Sequence, residues 1–117
     1  MCCQVVNVRS LTATQAGAVV YVGRACGHWT ASPLGNTFRI GRDGDRQQVI
    51  EKYRRWLWEV VQAGRRGQPS PAWLSLLSLV AAVRRGEAPA LGCWCHPAPC
   101  HASVIARAVD WLVSQEA

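Results

Sequence analysis

The chain is poor in lysine, in acidic residues and in long apolar runs. It has one lysine among its 13 basic residues and only seven acidic residues, which gives a formal net charge of +6. No apolar run approaches the about 20 residues that a membrane-spanning helix needs. The opening Met-Cys-Cys-Gln has neither the charged flank nor the apolar stretch of a signal peptide. These scarcities predict a cytoplasmic protein with no membrane partner.

The sequence also lacks the standard nucleotide-binding fingerprints. It contains neither a Walker motif nor a Gly-x-Gly-x-x-Gly motif. Its six cysteines, in a reducing cytoplasm, argue against a disulfide-stabilised secreted domain. With 117 residues, of which half are hydrophobic, a single domain over residues 1–117 with a modest core is expected.

Short β-branched runs and helical apolar spacing predict the elements. Strands are predicted at residues 4–9, 18–23 and 91–95, with a further short strand at residues 37–40. Helices are predicted from Asp43 or Asp45 to Gly64, from Ala72 to Arg85, and from Cys100 to Ser114. This order indicates an α/β fold, a single small domain with a mixed β-sheet of three to five strands flanked by about three helices.

The second predicted helix is apolar around most of its circumference. Such a helix is either deeply buried or part of an oligomer interface. Burial is the favoured interpretation, and the chain is expected to be a monomer or a homodimer.

A cluster of cysteine and histidine residues lies where the last strand leads into the last helix. Cys93 and Cys95, two apart on a strand, face the same side. Cys100 begins the helix, where the backbone N–H groups and the helix dipole favour an anion and hence a thiolate. His101 follows and could carry a proton or orient a ligand.

Three interpretations of this cluster stay open. In the first, Cys100 is a nucleophile or an anion contact, and His101 and Cys95 assist it. In the second, zinc is bound by Cys93, Cys95, Cys100 and either His101 or His96, although the spacing is not that of a standard zinc finger. In the third, the cysteines only pack beneath the helix. No cofactor is expected on the first and third interpretations, and zinc is the cofactor on the second.

Residues 24–46 form a long stretch in which glycines alternate with arginines. Glycine lets a backbone approach a ligand closely, and the arginine fork matches phosphate. The candidate phosphate-binding residues are Arg24, Ser32, Asn36, Arg42 and Arg46. The alternative is an ordinary turn-rich loop in which these arginines pair with nearby carboxylates.

Several motifs together resemble one family. They are Val-Val-Asn-Val-Arg, Tyr-Val-Gly-Arg, Ser-Pro-Leu-Gly-Asn-x-Phe, Gly-Asp-Arg-x-x-Val-Ile-x-x-Tyr-Arg-x-Trp-Leu and Leu-x-Cys-Trp-Cys-x-Pro-x-x-Cys-His-Ala. They cover nearly the whole chain and resemble the bacterial and phage domain of unknown function 4326. That resemblance implies a small cytosolic α/β domain, often phage-encoded, with no established activity.

The Cys-His end also resembles the domain of unknown function 488. In that family a carboxylate often replaces the second cysteine. For the present chain this resemblance implies a ligand or proton-transfer role at Cys95.

Two classes of function follow from these observations. The first is a nucleotide- or nucleic-acid-binding or processing protein, with phosphate held by the loop arginines and chemistry at the cysteine–histidine cluster. The second is a non-enzymatic protein that binds a host or phage partner through Trp56, Trp58 and Trp73, since tryptophan is enriched at interaction hot spots. A small zinc-binding module is the further alternative. Whether the protein is an enzyme stays open.

Overall fold

The computed structural model describes residues 3–10, 19–24, 26, 29–94 and 100–115. Within these ranges lie three strands and three α-helices. In chain order they are β1 (Gln4–Asn7), β2 (Val19–Tyr21), α1 (Arg46–Arg65), α2 (Pro71–Arg84), β3 (Ala90–Cys93) and α3 (His101–Ser114). This arrangement confirms the predicted α/β class. None of the described helices is long and apolar enough to cross a membrane.

The three strands form a parallel sheet in the order β1-β3-β2. In the register, Ala90 of the central strand lies opposite both Gln4 and Val19. The described sheet is therefore parallel, where a mixed sheet was predicted. Antiparallel neighbours need only a short hairpin, whereas helices α1 and α2 form the crossover between β2 and β3. Because all three strands run the same way, their carboxyl ends meet at one edge of the sheet.

The strand predicted at residues 37–40 is wrong. Side chains accept hydrogen bonds from the backbone N–H groups that a strand would pair. Asn36 accepts from the N–H of Phe38 at 2.9 Å, and Asp43 accepts from the N–H of Arg39 at 2.7 Å. Such local bonds give the backbone an alternative to a sheet. The first strand is likewise shorter than predicted, because a 3-10 turn begins at Val8.

Helix α1 begins as predicted and ends later. Asp45 and Gln48 form a reciprocal capping box, with both hydrogen bonds at 2.9 Å. Gly64, predicted to follow the helix, lies inside it, and in the turn after the helix Gly67 has a positive φ of 86°. Gly64 is needed for another reason, since a methyl group there would overlap the indole ring of Trp73.

Helix α2 buries only one face. It is capped by Ser70, whose hydroxyl accepts from the N–H of Trp73 at 3.2 Å. Leu76, Leu79 and Val80 are buried, whereas Leu74 on the opposite side is 58% exposed. The predicted deep burial therefore holds for one face of this helix.

Helix α3 lies at the centre of the packing. It contacts α1, α2, β1 and β3. Ala102, Ile105, Ala106 and Val109 are fully buried. Because alanine is small, neighbouring helices and strands can approach α3 closely. This packing places His101, the first residue of α3, at the edge of the sheet.

We expect Gly64→Ala to destabilise the protein. Alanine favours a helix by up to about 1 kcal/mol over glycine, but overlap with the Trp73 indole forces a shift of packed elements that typically costs about 1–3 kcal/mol. Urea unfolding measures the difference. The matched control is Gln62→Ala, at an exposed position of the same helix, which should change stability by less than about 0.5 kcal/mol. An unchanged or raised midpoint for Gly64→Ala would contradict the packing described above.

Candidate functional site

A pocket of about 360 Å³ lies at the edge where β2 and β3 end. The residues after β2 and β3 form part of its wall. The first residues of α1 and α3 form another part, and the loop before α1 completes it. The carboxyl edge of a parallel sheet is the usual position of a ligand site in α/β proteins. The volume is within the range of small-molecule sites.

The pocket brings together five of the residues predicted from sequence. They are Arg24, Asn36, Arg46, Cys100 and His101. In the chain they are spread over more than 70 positions, and the parallel sheet places them around one cavity. Residues from both candidate groups, the arginine loop and the Cys-His cluster, therefore line one cavity.

Three other candidate residues do not line this pocket. Ser32 accepts a hydrogen bond from the N–H of Leu34 at 3.1 Å and so shapes the turn. Arg42 binds Asp43 at 2.9 Å and the Thr37 carbonyl oxygen at 2.9 Å. Cys93 is buried, with its sulfur atom 3.3 Å from that of Cys100, and is not among the lining residues. Cys95 lies outside the described residues.

Sequence reasoning did not select seven of the lining residues, among them Phe38, Arg39 and Trp94. Phe38 and Arg39 fell in the segment interpreted as a strand. Trp94 was assigned to the face opposite Cys93. Its position between two cysteines was a usable signal, because the residue that ends a strand at the carboxyl edge commonly faces a ligand.

The wall of the pocket is basic. Arg24, Arg39 and Arg46 line it, and none of its described lining residues is acidic. Cys100 is the N-cap of α3 and makes no side-chain capping hydrogen bond. The first N–H groups of a helix have no partner within the helix and bind anions well. The cavity is therefore suited to a negatively charged group.

His101 is held in place by a buried hydrogen bond. Its Nε2 lies 2.6 Å from the carbonyl oxygen of Val22, and its ring packs edge-on against Tyr53. Burial lowers the pKa of His101, an effect larger than the opposing influence of the Val22 carbonyl. The neutral ring then donates its Nε2 proton to Val22. This leaves only Nδ1 to accept a proton, so His101 mainly positions the end of β2.

Tyr53 ties the loop before α1 to the helices. Its hydroxyl donates to the carbonyl oxygen of Leu34 at 2.6 Å. The side chain is fully buried, and burial raises the pKa of its hydroxyl above the ordinary value. Tyr53 is thus a neutral donor that anchors the loop carrying Asn36 and Phe38.

A second set of bonds fixes the backbone at Arg24. The indole Nε1 of Trp94 donates to the Tyr21 hydroxyl at 2.8 Å, and that hydroxyl donates to the carbonyl oxygen of Arg24 at 2.5 Å. A methyl group on Gly23 would lie 2.5 Å from the same hydroxyl, so any larger residue there would force the Tyr21 ring to shift. The ends of β2 and β3 are therefore joined directly beside the pocket.

Cys93 and Cys100 place their sulfur atoms 3.3 Å apart. Both are buried, with exposures of 1% and 5%. The separation is longer than the about 2.05 Å of a disulfide bond, so both are thiols. Among the described residues, no three histidine, cysteine or acidic side chains are placed to hold a metal. The zinc set stays a prediction, because Cys95 is not among them.

Comparison with known proteins gives one match. Residues 6–111 match the family model of the Domain of unknown function (DUF4326). The chain belongs to the DUF4326 family. Searches of curated proteins and of solved structures gave no match. The predicted resemblance is confirmed, and the function of this DUF4326 chain has to be argued from its site.

The buried His101 makes the stability of the DUF4326 chain depend on pH. The pKa of His101 is lowered in the folded protein, whereas in the unfolded chain it is about 6.5. At pH values between these two pKa values, the unfolded chain binds more protons than the folded chain. Stability should therefore fall as the pH drops through this window. The measurement is the melting temperature from pH 8 to pH 5.

His101→Gln is the matched variant, since it keeps a donor for Val22 but does not titrate. The wild type should lose more stability than the variant over this pH range. His28 and His96 are present in both proteins, so any contribution they make to the pH dependence of stability cancels in the comparison. The pKa values of Asp43 and Glu51 are lowered from 3.8 and 4.5, so protonation of these carboxylates changes stability only below this pH range. Parallel curves for the two proteins would show that His101 is not a buried neutral base.

Proposed function

We propose that this DUF4326 domain binds a phosphorylated nucleoside unit, either a free nucleotide or the end of a nucleic acid, in the pocket at the sheet edge. The observation that carries this proposal is the set of Arg24, Arg39 and Arg46 around one cavity whose described lining has no carboxylate. Arginine forks bind phosphate through charge-assisted hydrogen bonds. The N-terminus of α3 adds a second source of positive potential.

Two aromatic side chains support a base as the other part of the ligand. Phe38 and Trp94 both line the pocket and are only partly buried. A base stacked on an aromatic side chain gains about 1–3 kcal/mol without requiring a particular sequence. A pocket of about 360 Å³ has room for a mononucleotide but not for a duplex.

Within this proposal, Cys100 is the candidate reacting group for processing the ligand. It lines the pocket at the start of α3, next to the arginines. His101 is a positioning residue, because its Nε2 proton is directed at Val22. Cys95 keeps its predicted assisting role. We place this activity in the cytoplasm, where thiols stay reduced.

Binding of adenosine 5′-monophosphate to the full chain at low salt tests the proposal. Arg24→Ala, Arg39→Ala and Arg46→Ala should each weaken binding by about 10-fold or more, since a charge-assisted hydrogen bond is worth about 1.5–3 kcal/mol. Arg66→Ala, an exposed arginine of the turn after α1, is the control and should leave binding unchanged. Isothermal titration calorimetry measures the dissociation constants.

Three further probes separate the ligand classes. Adenosine without phosphate should bind far more weakly than the monophosphate. A short single-stranded DNA with a 5′-phosphate, compared with the same strand without it, shows whether a nucleic-acid end is preferred over the free nucleotide. If phosphorylated probes bind no better than their unphosphorylated counterparts at low salt, where phosphate contacts are strongest, the proposal is wrong.

A second observation favours protein binding as another candidate function. A groove of about 690 Å³ runs between α1 and α3. In it Trp58, 47% exposed, packs edge-on against Trp111, and the Arg65 guanidinium lies over the Trp111 ring. Of the tryptophans predicted to be exposed, Trp58 is exposed and Trp56 is partly buried. For Trp73 the prediction is wrong, because its ring packs on Gly64 within the helical core.

The charges around this groove indicate its occupant. Arg54, Arg55 and Arg107 lie along it, and Glu51 is the acidic residue among its described lining. Glu51 already pairs with Arg54 at 2.6 Å. We propose that the groove takes an amphipathic helical segment of a partner protein with apolar residues on one face and carboxylates beside them.

A 15-residue helical peptide with leucines on one face and glutamates beside them is the probe for the groove. It should quench tryptophan fluorescence saturably, and Trp58→Ala and Arg107→Glu should each weaken binding by about 10-fold or more, as for interaction hot spots. Lys52→Glu, on α1 but outside the groove, is the charge-matched control. Equal binding of a peptide with lysines in place of the glutamates would contradict the proposed charge selection.

A further inference from the structure

We propose that Cys93 and Cys100 are a redox-active dithiol that closes reversibly to a disulfide beside the basic pocket. Cys93 is the last residue of β3, and Cys100 is the N-cap of α3. Their sulfur atoms are 3.3 Å apart. A disulfide therefore requires the sulfurs to move closer by only about 1 Å, a shift that side-chain rotation with small backbone adjustment supplies.

The two thiols differ in their access to a reagent. Cys100 is 5% exposed and lines the pocket, whereas Cys93 is 1% exposed and does not line it. This difference fits a dithiol in which the Cys100 sulfur first forms a mixed disulfide with the reagent. The Cys93 sulfur then attacks Cys100 and displaces the reagent. The arginines and the helix N-terminus around Cys100 provide the electropositive surroundings in which cysteines are reactive.

The oxidant is a low-molecular-weight disulfide such as oxidised glutathione. The Cys100 thiolate attacks one sulfur of the oxidant, a mixed disulfide forms, and one glutathione thiolate leaves. The Cys93 thiolate then attacks the Cys100 sulfur, and the second glutathione thiolate leaves. The two protons lost by the cysteines end on the two released thiolates. The protein is oxidised by two electrons and the glutathione disulfide is reduced by two.

The disulfide should also change the pocket. It would draw the N-cap of α3 toward the end of β3 and so move the first turn of α3 relative to Arg24 and Arg46. This second effect rests on the proposed phosphate site. We expect adenosine 5′-monophosphate to bind roughly 10-fold more weakly to the oxidised chain, the order expected for the loss of one charge-assisted hydrogen bond.

The experiment uses the full chain, reduced and then incubated with oxidised glutathione. Remaining thiols are blocked with iodoacetamide, and proteolysis with mass spectrometry identifies linked peptides. We expect a Cys93–Cys100 linkage, the loss of two thiols per chain, and full reversal by dithiothreitol. Cys93→Ser should stop at a glutathione adduct on Cys100. Cys3→Ser and Cys26→Ser are matched controls and should form the linkage like the wild type.

Circular dichroism checks that each variant is folded, and Cys95→Ser tests the neighbouring cysteine. A Cys95–Cys100 linkage, no linkage in the folded wild type, or thiols that react only after a chelator removes bound zinc would each overturn the dithiol assignment. If the linkage forms but neither redox state binds the monophosphate, the phosphate proposal fails and the dithiol stands. If the monophosphate binds but no linkage forms, the dithiol proposal fails and the phosphate proposal stands.

Discussion

The buried hydrogen bond between His101 and the carbonyl oxygen of Val22 holds the site together. It joins the first residue of α3 to the backbone that leaves β2, two parts of the chain that are 79 residues apart in sequence. Tyr53 packs on the same imidazole ring and binds Leu34, so α1 and the loop before it share this anchor. An unpaired polar group at this depth would cost about 1–3 kcal/mol, which makes the geometry well determined.

Three acidic side chains in α1 and in the loop before it make described contacts of their own. Asp45 caps α1, Asp43 binds Arg42 and the N–H of Arg39, and Glu51 binds Arg54. The notion of an ordinary turn-rich loop with paired arginines is therefore correct for Arg42. The cavity wall is different in composition, because Arg24, Arg39 and Arg46 line it and none of its described lining residues is acidic. Concentrated positive charge opposes folding, and such an arrangement is typical of a site that receives an anion.

Local patterns predicted the elements well wherever the signal was short-range. Asp45 caps α1 as predicted, and α2 begins and ends within one residue of its predicted bounds, because capping depends on neighbouring residues only. The errors lie where a distant contact or a side chain changed the outcome. Gly64 stays helical because α2 packs on it through Trp73, and residues 37–40 are not a strand because Asn36 and Asp43 take their backbone donors.

By itself the sequence determined the three described helices and three described strands, the α/β class, the family and the basic and thiol character of the candidate site. These properties depend on composition, periodicity and motif spacing, which can be read directly from the sequence. Only the tertiary structure decided that Arg24, Arg46 and Cys100 share one cavity, that His101 points at Val22, and that Cys93 meets Cys100. The physical reason is the parallel sheet. Its strand order and the crossover between β2 and β3 bring together residues that are far apart in sequence, and sequence separation alone does not predict their distance in space.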